Sequence, residues 1–378
     1  MDPLLMIPGP VALSPAVLAA AAEPPVSHVS PVGIASFGDA LRAMRRVWAV
    51  GDDHQPFLLA GSGTLAMESA ASNVTEPGQR ALVLVSGVFG DRMARILERR
   101  GVTVEKVTAP VDEPVSAATA AEAMDRVRPH VVFVTHVDTS TGVRTDPAPF
   151  GAMAHARGAL LVVDGVCSVG GEAPPIADVV LTASQKALGA PPGLALLVAS
   201  PAALEARLAQ TSPPPLYVDW EEWLPIHQAY EEGRPSYFAT PATSLVRATA
   251  TALGEIEDPA ATVGRHAAVA EGMRRAWSAL GLRLVPTEVA HTASTLSALW
   301  LPEGTDASFV GRIGAQGVAV AGGLHPEIRA RTFRVGHMGW VTTQPALLAR
   351  TVRAVGVAML QAGLEVDVDA AVAALTEG

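Results

Sequence analysis

The chain is predicted to fold as an α/β protein: a large domain on a mostly parallel sheet flanked by helices, followed by a smaller C-terminal α+β domain. Three observations predict it. Short β-branched runs alternate with Ala/Arg/Glu-rich segments of helical period as far as residue 258, which implies βαβ units and a sheet covered on both faces. Beyond that point the pattern changes to one long helix and then short strands with helices between them. With 378 residues and 49% hydrophobic content, the chain can also bury a large core.

The first 21 residues, rich in Pro and Ala, are expected to form an extended arm outside both cores. Residues 22–258 read as the large domain, with strands at FLLA (57–60), ALVLVS (81–86), VTVEKV (102–107), VVFVTH (131–136), ALLVVD (159–164), DVVLTA (178–183) and LALLVA (194–199). Between them, GTLAMESAASN (63–73), GDRMARILERRG (90–101) and PAPFGAMAHARG (147–158) read as helices. Residues 259–378 read as the small domain, with a helix to about 280 and strands near 282–285, 295–300, 318–321 and 331–335.

Composition excludes several function classes. The net charge is -10 with Lys and Arg scattered, so no basic stripe exists to neutralise nucleic-acid phosphates. No apolar run approaches the roughly 20 residues of a membrane helix, and MDPLLMIPGP lacks the basic and apolar regions of a secretory signal. The expectation is a soluble cytoplasmic protein with neither nucleic-acid nor membrane partners. The single cysteine, Cys167, excludes an internal disulfide, and the ten histidines contain no HExxH or similar pair, so no metal is expected.

Open α/β sheets bind ligands beyond the C-terminal ends of their strands. After FLLA comes Gly61-Ser62-Gly63-Thr64, which opens a helix whose free amides can hold a phosphate, although such turns commonly do no more than start a helix. ALLVVD ends in Asp164, either a helix cap or a buried acid that needs a cationic partner such as a protonated pyridine nitrogen. Phe89 follows ALVLVSGV and can pack in the core or stack on a ring. Thr139, Ser140 and Thr141 follow the next strand as turn formers or as hydroxyls for a ligand oxygen. Lys186 lies just beyond DVVLTA among the small residues Ala187, Gly189 and Ala190. A desolvated lysine there has a lowered pKa and can form a Schiff base. Phosphate cradle, stacking ring, pyridinium-paired acid and Schiff-base lysine are together the parts that pyridoxal phosphate requires.

Through IPGPVALSP (7–15), LAGSGTLAMES (59–69), THVDTSTGV (135–143), VVDGVCSVGG (162–171), LTASQKALGAPPGL (181–194), YFATP (237–241), AGGLHP (321–326) and FRVGHMG (333–339), the sequence resembles the class V, fold-type I pyridoxal phosphate aminotransferases. The likeness is greatest to the alanine–glyoxylate and serine–pyruvate aminotransferase family and spans nearly the whole chain. It implies that Lys186 forms the Schiff base, Asp164 keeps the pyridine nitrogen protonated, Phe89 stacks on the ring and Thr139 bonds near the phenolic oxygen. It further implies that Ser62, Gly63, Thr64 and Gln185 hold the phosphate, and that Tyr237 and Thr240 reach it from the neighbouring subunit of a homodimer. Arg334 would match the arginine that pairs bidentately with the substrate carboxylate. Three positions depart from common family residues: Thr64 stands for histidine, Phe89 for tryptophan and Thr139 for serine.

The implied reaction is a ping-pong transfer of an amino group from a small L-amino acid, alanine favoured and serine the alternative, to glyoxylate. Serine–pyruvate, serine–glyoxylate and pyridoxamine–pyruvate aminotransferases are alternatives within the class, and a PLP-binding protein without turnover is one outside it. A desulfurase would need a mobile nucleophilic cysteine, whereas Cys167 lies three residues after Asp164, in the expected sheet–helix junction.

Overall fold

The computed structural model describes residues 2–376. Its central sheet has seven strands in the order Gln55–Ala60, Leu194–Ala199, Val179–Ala183, Leu160–Asp164, Val131–Thr135, Arg80–Val85 and Thr103–Thr108. Leu194–Ala199 runs antiparallel to both neighbours; the pairings from Val179–Ala183 to Thr103–Thr108 are parallel. Val131–Thr135 and Val179–Ala183 are buried at every position, as strands covered on both faces must be. The edge strand Thr103–Thr108 instead exposes Glu105 and Lys106, which discourages pairing with another chain.

The register fixes where the site forms. Thr135 pairs with Asp164 and Asp164 with Leu181, while Ala60 lies opposite Leu194 at the same end. The segments that follow residues 60, 85, 135, 164 and 183 therefore leave the sheet along one edge.

One hydrophobic core, from Ile34 to Ile256, fills the two faces of this sheet. A second is built from Met273, Trp277, Phe309, Phe333 and Val355 around a three-stranded antiparallel sheet of Ala321–Gly322, Thr332–Gly336 and Leu296–Trp300. Trp277 Nε1 there donates to Ser297 Oγ at 3.0 Å, and Ser297 Oγ lies 3.0 Å from His337 Nε2. Among the described residues no helix is long and apolar enough to cross a membrane.

Two expectations are corrected. The N-terminal 21 residues are not an extended arm outside the cores. Leu4–Leu5 pairs in parallel with Val318–Ala319, Met6 is fully buried in the second core, and Pro15–Ala22 is a helix capped by Ser14. That helix buries Val17 against Ala248 and Ala252, a gain in apolar contact that an extended arm would forgo. Residues 282–285 form no strand; only an isolated bridge joins Leu284 to Leu299.

Candidate active site

Along the C-terminal edge of the large sheet a cavity of about 250 Å³ opens, and eight of the sequence-predicted residues line it: Ser62, Gly63, Thr64, Phe89, Thr139, Asp164, Gln185 and Lys186. Ser62 precedes the helix Gly63–Val74 in extended backbone with its hydroxyl unused as a cap. The first-turn amides lack intrahelical acceptors and, with the helix dipole, suit an anion.

Lys186 sits in the short connection between Val179–Ala183 and Leu194–Ala199, which Ser184 braces by donating to the Pro191 carbonyl at 2.6 Å and accepting from Leu194 N at 3.2 Å. Its Nζ donates to the Pro8 carbonyl. Burial holds the Lys186 amine below its ordinary pKa, and Arg334 adds to that; Cys167 and Asp164 act the other way. A larger fraction is thus the neutral nucleophile.

Asp164 is 4% exposed, and its Oδ1 accepts from Val166 N at 2.9 Å. Burial pushes its carboxyl up to about 6, against the Val166 hydrogen bond and with help from the charge of Asp138. A carboxylate that burial disfavours this strongly gains from a cationic N–H in the cavity. Gln185 also lines the cavity, and its buried Oε1 has no partner among the described residues; turned over, the amide presents an NH2 donor instead. An anion cradle, an orphaned amide, an aromatic wall, an acid lacking a cation and a depressed lysine fit pyridoxal phosphate.

Arg334 does not line the cavity but is tied to it. Its Nη1 donates to the Thr139 carbonyl at 3.0 Å and its Nε to the Gly322 carbonyl at 2.9 Å, leaving Nη2 without a partner among the described residues. Tyr237 and Thr240 are exposed and stand away from the cavity of their own protomer, Tyr237 at 62%. The structure brings neither into the site.

Sequence reasoning missed three contributors. Asp138 is fully buried, accepting from Phe89 N at 3.0 Å and from Ser140 N and Oγ at 2.9 and 2.5 Å. It holds the start of the helix Val88–Arg99, and with it Phe89, in place. Gly87 makes this possible, since a Cβ there would lie 2.3 Å from the Asp138 carboxyl carbon. Its signal was an acid inside THVDTSTG, directly beside a residue already singled out. Arg92 lines the cavity one helical turn after Phe89, a spacing that places both on one face. The third is the backbone at Pro8 and Gly9, which no side-chain pattern marks.

A family description, aminotransferase class V, matches residues 42–326. The chain is 33% identical over 368 residues to alanine–glyoxylate aminotransferase 1 of Saccharomyces cerevisiae, covering 89% of this chain and 91% of that protein. It is 30% identical over 390 residues to L-aspartate–glyoxylate aminotransferase of Paracoccus denitrificans, covering 99% and 95% respectively. Among solved structures it is similar to pyridoxamine–pyruvate aminotransferase from Mesorhizobium loti, with a TM-score of 0.91, 26% identity and coverage of 99% of this chain and 96% of that one.

Proposed function

The chain belongs to the class V aminotransferases, and from that premise we propose that it transfers the amino group of a small L-amino acid, alanine favoured, to glyoxylate in two successive half-reactions. Its cofactor is pyridoxal phosphate, which when bound supplies an aldehyde that captures amines and a protonated ring that spreads the negative charge left on Cα. The observation that carries the proposal is the convergence of Lys186, Asp164 and the start of the helix Gly63–Val74 on one cavity, with Arg334 at its rim.

Each residue has a role that its surroundings support. Lys186 Nζ, its pKa lowered by burial, takes the proton from the substrate Cα. Asp164 faces the pyridine nitrogen and keeps it protonated, since an ion pair there restores the carboxylate that burial disfavours. Ser62, Gly63, Thr64 and Gln185 hold the phosphate, Phe89 covers one face of the ring and Thr139 bonds its phenolic oxygen. Arg334, oriented by two carbonyls, presents its free Nη2 side to the substrate carboxylate. Tyr237 and Thr240, exposed in one protomer, complete the phosphate site of a partner in a homodimer.

Glyoxylate as acceptor is supported by the names of two relatives, one an alanine and one an aspartate enzyme. The decisive experiment is spectroscopic. The yellow protein should bleach to the pyridoxamine form with L-alanine and recover with glyoxylate, initial rates should give parallel double-reciprocal lines, and borohydride should fix the cofactor to Lys186. A protein that stays yellow with every amino acid would overturn the proposal. A second reading, free pyridoxamine as donor and pyruvate as acceptor, has support from the M. loti neighbour; turnover of pyridoxamine with no response to L-alanine would favour it.

A further inference from the structure

The proposed phosphate cradle is built from neutral donors, yet a phosphate monoester carries about 1.5 to 2 negative charges at neutral pH. Ser62, Gly63, Thr64 and Gln185 supply hydroxyls, amides and a carboxamide, and the same wall carries the acid Asp164. Of the two cations in the wall, Lys186 already donates to the Pro8 carbonyl.

The other is Arg92, on the helix Val88–Arg99. Its Nη1 donates to Thr64 Oγ1 at 3.1 Å, beside the start of the helix Gly63–Val74, and its guanidinium carbon lies 4.7 Å from the centroid of the Phe89 ring. These two contacts fix the plane and position of the group. No carboxylate of the described residues pairs with it: the adjacent Asp91 is bonded to Lys106 at 2.8 Å. Nε and Nη2 likewise have no acceptor among the described residues. An arginine held against a cavity wall with unused donors and no ion-pair partner among the described residues is a site for an anion.

We infer that Arg92 supplies the positive charge that the cofactor phosphate meets, and that it makes the site select the phosphorylated vitamer over its dephosphorylated counterpart. The inference rests on the reading that this cavity holds pyridoxal phosphate. It assigns the cation to a residue one turn beyond the ring-stacking Phe89, so ring and phosphate are gripped from a single helix.

The test compares dissociation constants of cofactor-free protein for pyridoxal phosphate and for pyridoxal, which share the ring and aldehyde and differ in the phosphate. Arg92→Met should weaken pyridoxal phosphate about 10- to 100-fold, the loss of a charge-assisted hydrogen bond, and leave pyridoxal unchanged. Arg92→Lys, which keeps the charge, should recover most of the preference. Should the methionine variant fail to refold without cofactor, Arg92→Gln, which keeps a donor for Thr64, carries the same comparison. Equal losses for both vitamers would make Arg92 a support for Phe89 only and overturn the inference, as would unaltered binding of pyridoxal phosphate. A wild-type protein that takes up neither vitamer would overturn the reading of the cavity itself, and this inference with it.

Discussion

Lys186 and Asp164 are ionisable groups placed where burial disfavours charge, and the direction of each shift follows from that. For Asp164 the consequence is measurable. Its carboxyl is pushed from 3.8 to about 6, first by burial, so the folded cofactor-free protein binds the proton more tightly than the unfolded chain. Stability therefore falls as pH rises from about 4 to 6 and stays reduced above that, by about 3 kcal/mol. The cofactor-free Asp164→Asn variant should be more stable than wild type by about that amount at pH 8 and by about half at pH 5 in urea unfolding. A difference independent of pH would show that the carboxyl is not the source. In the loaded enzyme the same variant should lose activity, because a neutral carboxamide carries no negative charge to keep the ring nitrogen protonated. Asp138, also buried, serves differently: it spends its oxygens on Phe89 and Ser140 and positions them.

Among the elements, the N-terminal segment links the second core to the site. Leu4–Leu5 joins Val318–Ala319, Met6 receives the Gly336 amide at 2.7 Å, and the chain then lays the Pro8 carbonyl on Lys186. Gly9 is required at the next position. Its φ is +105°, and a Cβ would lie 2.6 Å from Lys186 Cδ and 2.9 Å from Nζ. Gly9→Ala should displace the amine and lower kcat/KM about 100-fold, the scale expected for a shift of about 1 Å in a reacting group. The left-handed backbone adds about 1 to 2 kcal/mol of strain. Steady-state kinetics and thermal unfolding of the variant check both, and wild-type turnover would remove Gly9 from the site. Nearby, the helix Pro15–Ala22 follows a plain sequence signal, Ser14 as cap and a proline at its first turn.

For the molecule as a whole, acid should unfold the protein through its buried histidines. Burial lowers His136 and His266 to about 4 and His227 and His337 to about 3. A folded-state pKa below the unfolded value of 6.5 means that stability is complete above about pH 6.5 and is lost as pH falls toward the folded values. Each group should cost about 2 kcal/mol by pH 5, and together they outweigh the opposite, smaller effect of Asp164. Urea midpoints should hold nearly level from pH 8 to about 6.5 and fall from there to pH 5; a flat profile throughout would show that these rings are protonated in the folded protein. His227 is stacked on Phe37 and Trp223 and meets Phe57 edge-on, so His227→Phe should flatten part of that profile.

Alternation of β-branched runs with helical segments was enough to determine the large sheet, because each strand writes its own apolar run: Val131–Thr135, Leu160–Asp164 and Val179–Ala183 all fall within a residue or two of where the sequence puts them. The site residues that follow strand ends were legible for the same reason, since a parallel sheet delivers every such end to one edge. What only the tertiary structure decided is which distant segments meet there. Arg92 becomes a candidate through its distance to Thr64, Asp138 through its burial against Gly87, and Pro8 through the path of a segment pinned by the second core. None of these follows from local period or composition, because each depends on strand register and on which distant segments pack beside the cavity.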